Sequence, residues 1–172
     1  MPLYALGDLV PDVHPDAYVH PDATVIGNVS IGAGSTVWPQ CVIRGDYGRI
    51  EVGERTSIQD GTVVHATADR PTIVGNGCVI GHLVHLECCT IHDGALVGSG
   101  SIVLHRAVVE TGALVGAGAV VPNGMVVPAK AMALGIPAKL RLDSVDPEEI
   151  PRIVALYVAN AQRYKTDLRR ID

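Results

Sequence analysis

The chain is predicted to be mostly β, a parallel β-helix whose short strands run three to a coil. Three features predict it. Aliphatic residues recur every six positions, at Val13, Val19, Val25, Ile31, Val37 and Ile43, then at Val52, Ile58 and Val64, then at Val74, Ile80 and Leu86. After a contraction of one residue they resume at Ile91 and continue through Val97, Val103, Val109, Val115, Val121 and Val127. Four residues after most of these rungs stands a small or β-branched residue, such as Ser35, Cys41, Thr56, Thr62, Cys78, Val84, Ala95 and Ser101. A period of six fits neither a helical stripe nor a simple alternating strand, whereas it suits short strands joined by tight turns in a repeat architecture. Composition agrees: nineteen glycines provide corners, and the absence of Phe with a single Trp suits a narrow prism without room for rings. About seven coils result, stacked at roughly 4.8 Å.

The ladder is interrupted twice, at 44–49 (RGDYGR) and at 66–73, and insertions in a solenoid are expected to leave it as outer loops. The pattern changes after Gly135-Ile136-Pro137-Ala138-Lys139, so residues 1–140 are read as the β-helix and 141–172 as a helix and tail of the same domain. Asp146-Pro147-Glu148-Glu149 reads as a helix start, with Asp146 as cap and acids at the positive end of the dipole. Ile150, Ile153, Leu156, Tyr157, Ala161, Tyr164 and Leu168 follow at helical spacing, and a basic last turn is expected at Arg169-Arg170. Pro151 is early enough to be tolerated, or to move the start by a turn.

A length of 172 residues suits one domain with ample core, and a net charge of −5 without basic runs argues against nucleic acid or an anionic membrane as partner. The first ten residues lack a basic start followed by an apolar run, and no stretch reaches transmembrane length. The expectation is a soluble, cytoplasmic protein. Cys41 and Cys78 fall on small inward positions, Cys88 and Cys89 lie near the contraction, and no zinc or disulfide spacing joins the four.

Aligning the coils brings polar residues together. If Ile43, Val64 and Leu86 stack on one face, the residues after them, Arg44, His65 and Glu87, form an outward column. On the preceding face Ile58 and Ile80 stack, so Asp60 and His82, two residues later, stand one above the other. Two faces of one prism diverge, and bringing His82 to His65 takes faces of two subunits, which favours a cyclic trimer with sites at its interfaces. His14 and His20 read as surface corners, and His92 and His105 lie beyond this coil.

The ordered motifs VWPQ (37–40), VIRGDY (42–47), SIQDGTVVH (57–65), IGH (80–82) and GIPAK (135–139) resemble those of γ-class carbonic anhydrase-like proteins of the left-handed β-helix, hexapeptide-repeat superfamily. The resemblance implies a left-handed β-helix in a homotrimer and a divalent metal, zinc first with iron or cobalt as alternatives. It also implies a carbonate dehydratase, a lyase that hydrates carbon dioxide reversibly by metal-bound hydroxide. By position His65 and His82 match metal ligands, Arg44, Asp46 and Asp60 match interface salt-bridge residues, and Gln59 matches a glutamine that orients the reacting water.

The chain departs from that pattern twice. Glu87 stands where the third histidine is usual, with His85 two residues earlier in GHLVHLE (81–87). Glu87 as direct ligand, His85 as replacement with Glu87 behind it, and an empty site all stay open; a carboxylate ligand would raise the pKa of the water and weaken activity near pH 7. Tyr47 occupies a position that is acidic in the better characterised form, and the loop at 66–73 has Asp69 as its only acid, so proton transfer would fall to Glu87 or buffer. An acyl-CoA-dependent hexapeptide transferase and a non-catalytic, metal-stabilised trimer are the alternatives on the same scaffold.

Overall fold

The computed structural model describes residues 2–172. It is a left-handed parallel β-helix of about seven coils carrying one C-terminal helix, Glu149–Asp167. The six-residue period becomes core directly: rungs from Val19 to Val127 all belong to one buried cluster, Val13 packs against its end, and Ala133 extends the ladder by a further step.

The second inward position is small because backbone crowds it, and where it is polar it is satisfied by the next coil. Ser35 Oγ donates to the Gly53 carbonyl at 2.6 Å, Thr56 Oγ1 to Gly75 at 2.7 Å and Thr62 Oγ1 to Gly81 at 2.8 Å. The same hydroxyls accept backbone N–H groups, from Thr56, Cys78 and Val84 respectively. Buried hydroxyls thus splice the hydrogen-bond ladder at the corners instead of standing unpaired in the prism. The four cysteines are free and buried, and burial pushes the thiols of Cys41 and Cys78 up to about 11 and that of Cys89 to about 12.

Glycine has two uses here, of which the corner is one. Eleven of the nineteen adopt left-handed φ, as at Gly100 (φ 69°), where other side chains are strained. The other eight keep ordinary φ and are small because coils touch; a Cβ on Gly53 would meet the Gly75 carbonyl at 2.7 Å. Six corners do without glycine, among them Leu83 (φ 58°) and Cys88 (φ 53°), both close to the polar column.

The prism has three faces. The first is the eight-stranded sheet that includes Thr36–Val37, Ser57–Ile58, Val79–Ile80 and Leu96–Val97. The helix covers it, with Ile150 and Val154 packing beside Val79, Leu96, Leu114 and Met132, while Tyr164 meets Tyr18 and Trp38, and Tyr157 meets Trp38, edge to face near its C-terminal half. The second face carries Val63–His65, His85–Glu87 and Ile102–Val103, and the third Thr72–Val74, Thr90–Ile91 and Val108–Val109. Two long strands, Thr24–Ile31 and Val42–Val52, run round the corner and join these two faces into one twelve-stranded sheet.

Four expectations are corrected and one is met. The insertion at 44–49 stays inside the strand Val42–Val52, because Gly27 pairs with Gly45 and Val29 with Ile50, and the extra residues are absorbed as a bulge. The insertion at 66–73 does leave the coil, as a tight turn closed by Thr67 and Arg70. The helix begins at Glu149 after Glu148, which makes no side-chain cap; Asp146 closes the preceding turn by accepting the Glu148 N–H. It ends at Asp167 with Lys165 in its last turn, before Arg169-Arg170, and Leu156 faces solvent while Val154 takes the buried position. Among the described residues no helix is long and apolar enough to cross a membrane.

Leu86 is fully buried at the level of the polar column. Leu86→Ala is expected to lower unfolding free energy by about 2–5 kcal/mol in urea denaturation; a loss well under 1 kcal/mol would mean that the rung does not fill the prism.

Candidate functional site

Parallel pairing sets the polar column. Arg44 pairs with His65 and His65 with Glu87, each following its rung by one residue and facing outward on the second face. His65 Nε2 lies 3.1 Å from Asp46 Oδ1, and its Nδ1 lies 3.2 Å from Glu87 Oε1. Asp46 is also paired with the Arg44 guanidinium and accepts the Tyr47 N–H. Burial alone would raise the Asp46 pKa, but the hydrogen bonds from Arg44 and His65 outweigh it and hold the carboxyl below its ordinary value.

Glu87 is the hub of the next coil. Its Oε2 lies 3.2 Å from His85 Nε2 and 3.5 Å from His105 Nε2. The hydrogen bond with His65 lowers its pKa most, against partial burial and with smaller help from His85 and His105. His105 was not legible as a partner, since it lies in the coil after the polar stretch.

His82 and Asp60 stand one above the other as expected, with His82 Nδ1 3.0 Å from Asp60 Oδ2, but they occupy a corner and not a flat face. That corner leads from the helix-covered face into the second face. His82 and Glu87 therefore lie near opposite edges of the second face, five residues apart, which is at most about 16 Å at the rise of an extended strand. Leu83, left-handed and 71% exposed, projects beside His82. Gln59 is almost fully buried; on the helix, burial first, then the Asp60 charge, raises the Tyr157 pKa. In the sequence Tyr157 carries no signal beyond its place on the helix. Tyr47 is 73% exposed and only its backbone is engaged, so the structure gives its side chain no partner in the column.

Among the described residues, no group of three or more His, Cys, Asp or Glu side chains within the chain is arranged to hold a metal ion. The donor chemistry of the column nevertheless fits a cation. A neutral imidazole has one N–H, yet both His65 nitrogens face carboxylate oxygens, so one contact sets a ring lone pair against an anionic oxygen. A proton or a cation removes that conflict. The 3.2 Å between His65 Nδ1 and Glu87 Oε1 is close to the edge of about 3.3 Å between two ligands of a tetrahedral ion with bonds of 2.0–2.1 Å.

The whole backbone has close counterparts. The crystal structure of a hexapeptide transferase family protein from Anaplasma phagocytophilum superposes with a TM-score of 0.91 at 36% identity, covering 95% of this chain and 98% of the other. The chain belongs to the hexapeptide-repeat family. Residues 11–45 match the family's own pattern, bacterial transferase hexapeptide (six repeats). Within the family, the carnitine operon protein CaiE of Escherichia coli is 46% identical over 109 residues, 63% of this chain and 56% of that protein. The mitochondrial γ carbonic anhydrase 2 of Arabidopsis thaliana is 40% identical over 170 residues, 95% of this chain and 59% of that protein. The chain thus spans little more than half the length of these curated relatives.

Asp46 and Glu87 both titrate below their unfolded values, so what they add to stability is complete above the ordinary carboxylate range near pH 4 and is lost as pH falls through the lowered native values. Urea unfolding between about pH 5 and pH 2 is expected to be less pH-dependent in the Asp46→Asn, Glu87→Gln double variant than in the wild type. Identical slopes would show that the column contributes nothing.

Proposed function

We propose that the chain is a metal-dependent, γ-carbonic-anhydrase-like enzyme that hydrates carbon dioxide, its cation held between subunits of a homotrimer. The observation that carries this reading is the conflict at His65, an imidazole between two carboxylates. Asp46, itself held by Arg44, takes the Nε2–H, which turns the Nδ1 lone pair toward Glu87 Oε1. Two donors from one chain then face a common point. Asp60 does the same for His82: with the Nδ1 proton given to the carboxylate, Nε2 presents its lone pair outward. Because His82 stands at the other edge of the face, the histidine that completes the set comes from a neighbouring copy. Similarity to the Arabidopsis γ carbonic anhydrase over nearly the whole chain supports hydration, and the likeness to the Anaplasma hexapeptide transferase family protein makes acyl transfer the second reading.

When bound, a divalent cation of the zinc, iron or cobalt type supplies Lewis acidity that lowers the pKa of water. The residues of the chain do the rest. Glu87 is a carboxylate in place of a neutral ring, so a ligand set that includes it would carry one more negative charge and would acidify water less. His85 lies behind Glu87 on Oε2 and stiffens it, in place of substituting for it. Gln59, buried next to Asp60, is the residue that the family resemblance assigns to orienting the reacting water.

Metal analysis with stopped-flow hydration of carbon dioxide tests the reading. The wild type is expected to bind about one divalent ion per chain and turn over, His65→Ala to lose the ion, and Glu87→His to shift the rate profile to lower pH. Metal without turnover would favour a purely structural ion, and acyl-CoA binding without metal a transferase; either overturns the proposal.

A further inference from the structure

We propose that His105 is a positioning residue: together with His85 it holds the Glu87 carboxylate so that Oε1 alone faces the cation position. The inference rests on the cation-binding reading above and names what that reading needs in order to work with a carboxylate. The oxygens of Glu87 are divided. Oε1 faces His65 Nδ1 at 3.2 Å, whereas Oε2 is approached by His85 Nε2 at 3.2 Å and His105 Nε2 at 3.5 Å.

The two histidines on Oε2 come from different elements. His85 shares a strand with Glu87, so its contribution cannot be separated from that strand. His105 belongs to the next coil. Leu86 pairs with Val103, which puts His105 one coil on and one residue past the level of Glu87. The coil bearing Glu87 turns after it with Cys88 at φ 53°, and the next coil turns at Arg106 with φ 61°, whose N–H donates to the Cys88 carbonyl at 2.7 Å. These two corners lock together and carry the His105 ring back over Glu87.

The consequence is chemical. A carboxylate on a flexible side chain can present either oxygen or both, and a short outward Glu in an open column has no other reason to choose. Two imidazoles on Oε2 select one rotamer and leave Oε1 as a single oxygen donor, the geometry that a third histidine provides by shape alone. Groups that hydrogen-bond to a ligating side chain typically change metal affinity by 10–100-fold when removed.

Cobalt(II) titration of the purified protein at pH 8, read by visible absorption, tests this beside thermal melting of the metal-free protein. His105→Ala is expected to bind cobalt about 10–100-fold more weakly, with altered band intensities and an unchanged metal-free melting temperature. His105→Gln, which keeps an N–H donor, is expected to recover most of the affinity. Wild-type affinity and spectrum in His105→Ala, while His65→Ala binds none, would overturn the role of His105 and leave the site intact. Weakened binding that His105→Gln does not restore, with a lowered melting temperature, would reduce His105 to a structural residue and overturn it too. Failure of the wild type to bind cobalt would defeat the site itself and this inference with it.

Discussion

Everything in this molecule depends on in-register stacking of parallel coils. The strand N–H groups of a coil find their carbonyls in a neighbouring coil while corner turns close on themselves, so equivalent positions must lie at one strand spacing, about 4.8 Å apart. A slip of one residue would turn every aliphatic rung outward. The rungs are therefore both the core and the ruler. Once Val64 and Leu86 stack, the directions of His65 and Glu87 are no longer free.

That constraint explains why the chemistry is arranged in columns. At one strand spacing, side chains on neighbouring coils come within hydrogen-bond reach, and the column on the second face sets Arg44, His65, His85 and His105 against the carboxylates of Asp46 and Glu87. The second pair, Asp60 and His82, repeats the arrangement at the opposite edge. Asp46 and Asp60 each hold one nitrogen of a histidine and so decide which nitrogen is left for other work. The helix takes no part in the column, but by covering the first face it leaves the second face and its two edges to solvent.

Much of this could be read before any coordinates. Inward positions admit only aliphatic or small residues, so Val19 to Val127 announced themselves, and their alignment placed Arg44, His65 and Glu87 in one line and Asp60 over His82. What could not be read depended on local geometry without a periodic signature. Whether 44–49 would leave the coil turned on the pairing of Gly27 with Gly45, since an extended insertion and a loop look alike in sequence. The start of the helix turned on which acid closed the preceding turn. His82 was assigned to a face because corners and strand ends differ by one residue in a six-residue repeat. His105 carries no such signal, because it lies one coil beyond the polar stretch and one residue past the level of Glu87.

On the proposed reading, a single chain carries two half-sites at opposite edges of one face, and only a second copy completes either. Subunit mixing tests this most directly: His65→Ala and His82→Ala chains are unfolded together, refolded and titrated with cobalt(II). Neither variant alone should bind, whereas every mixed trimer regains one interface with His65 on one side and His82 on the other, so binding returns. Continued absence of binding in mixtures shown to contain both chains, or full binding by either variant alone, would contradict a site divided between copies.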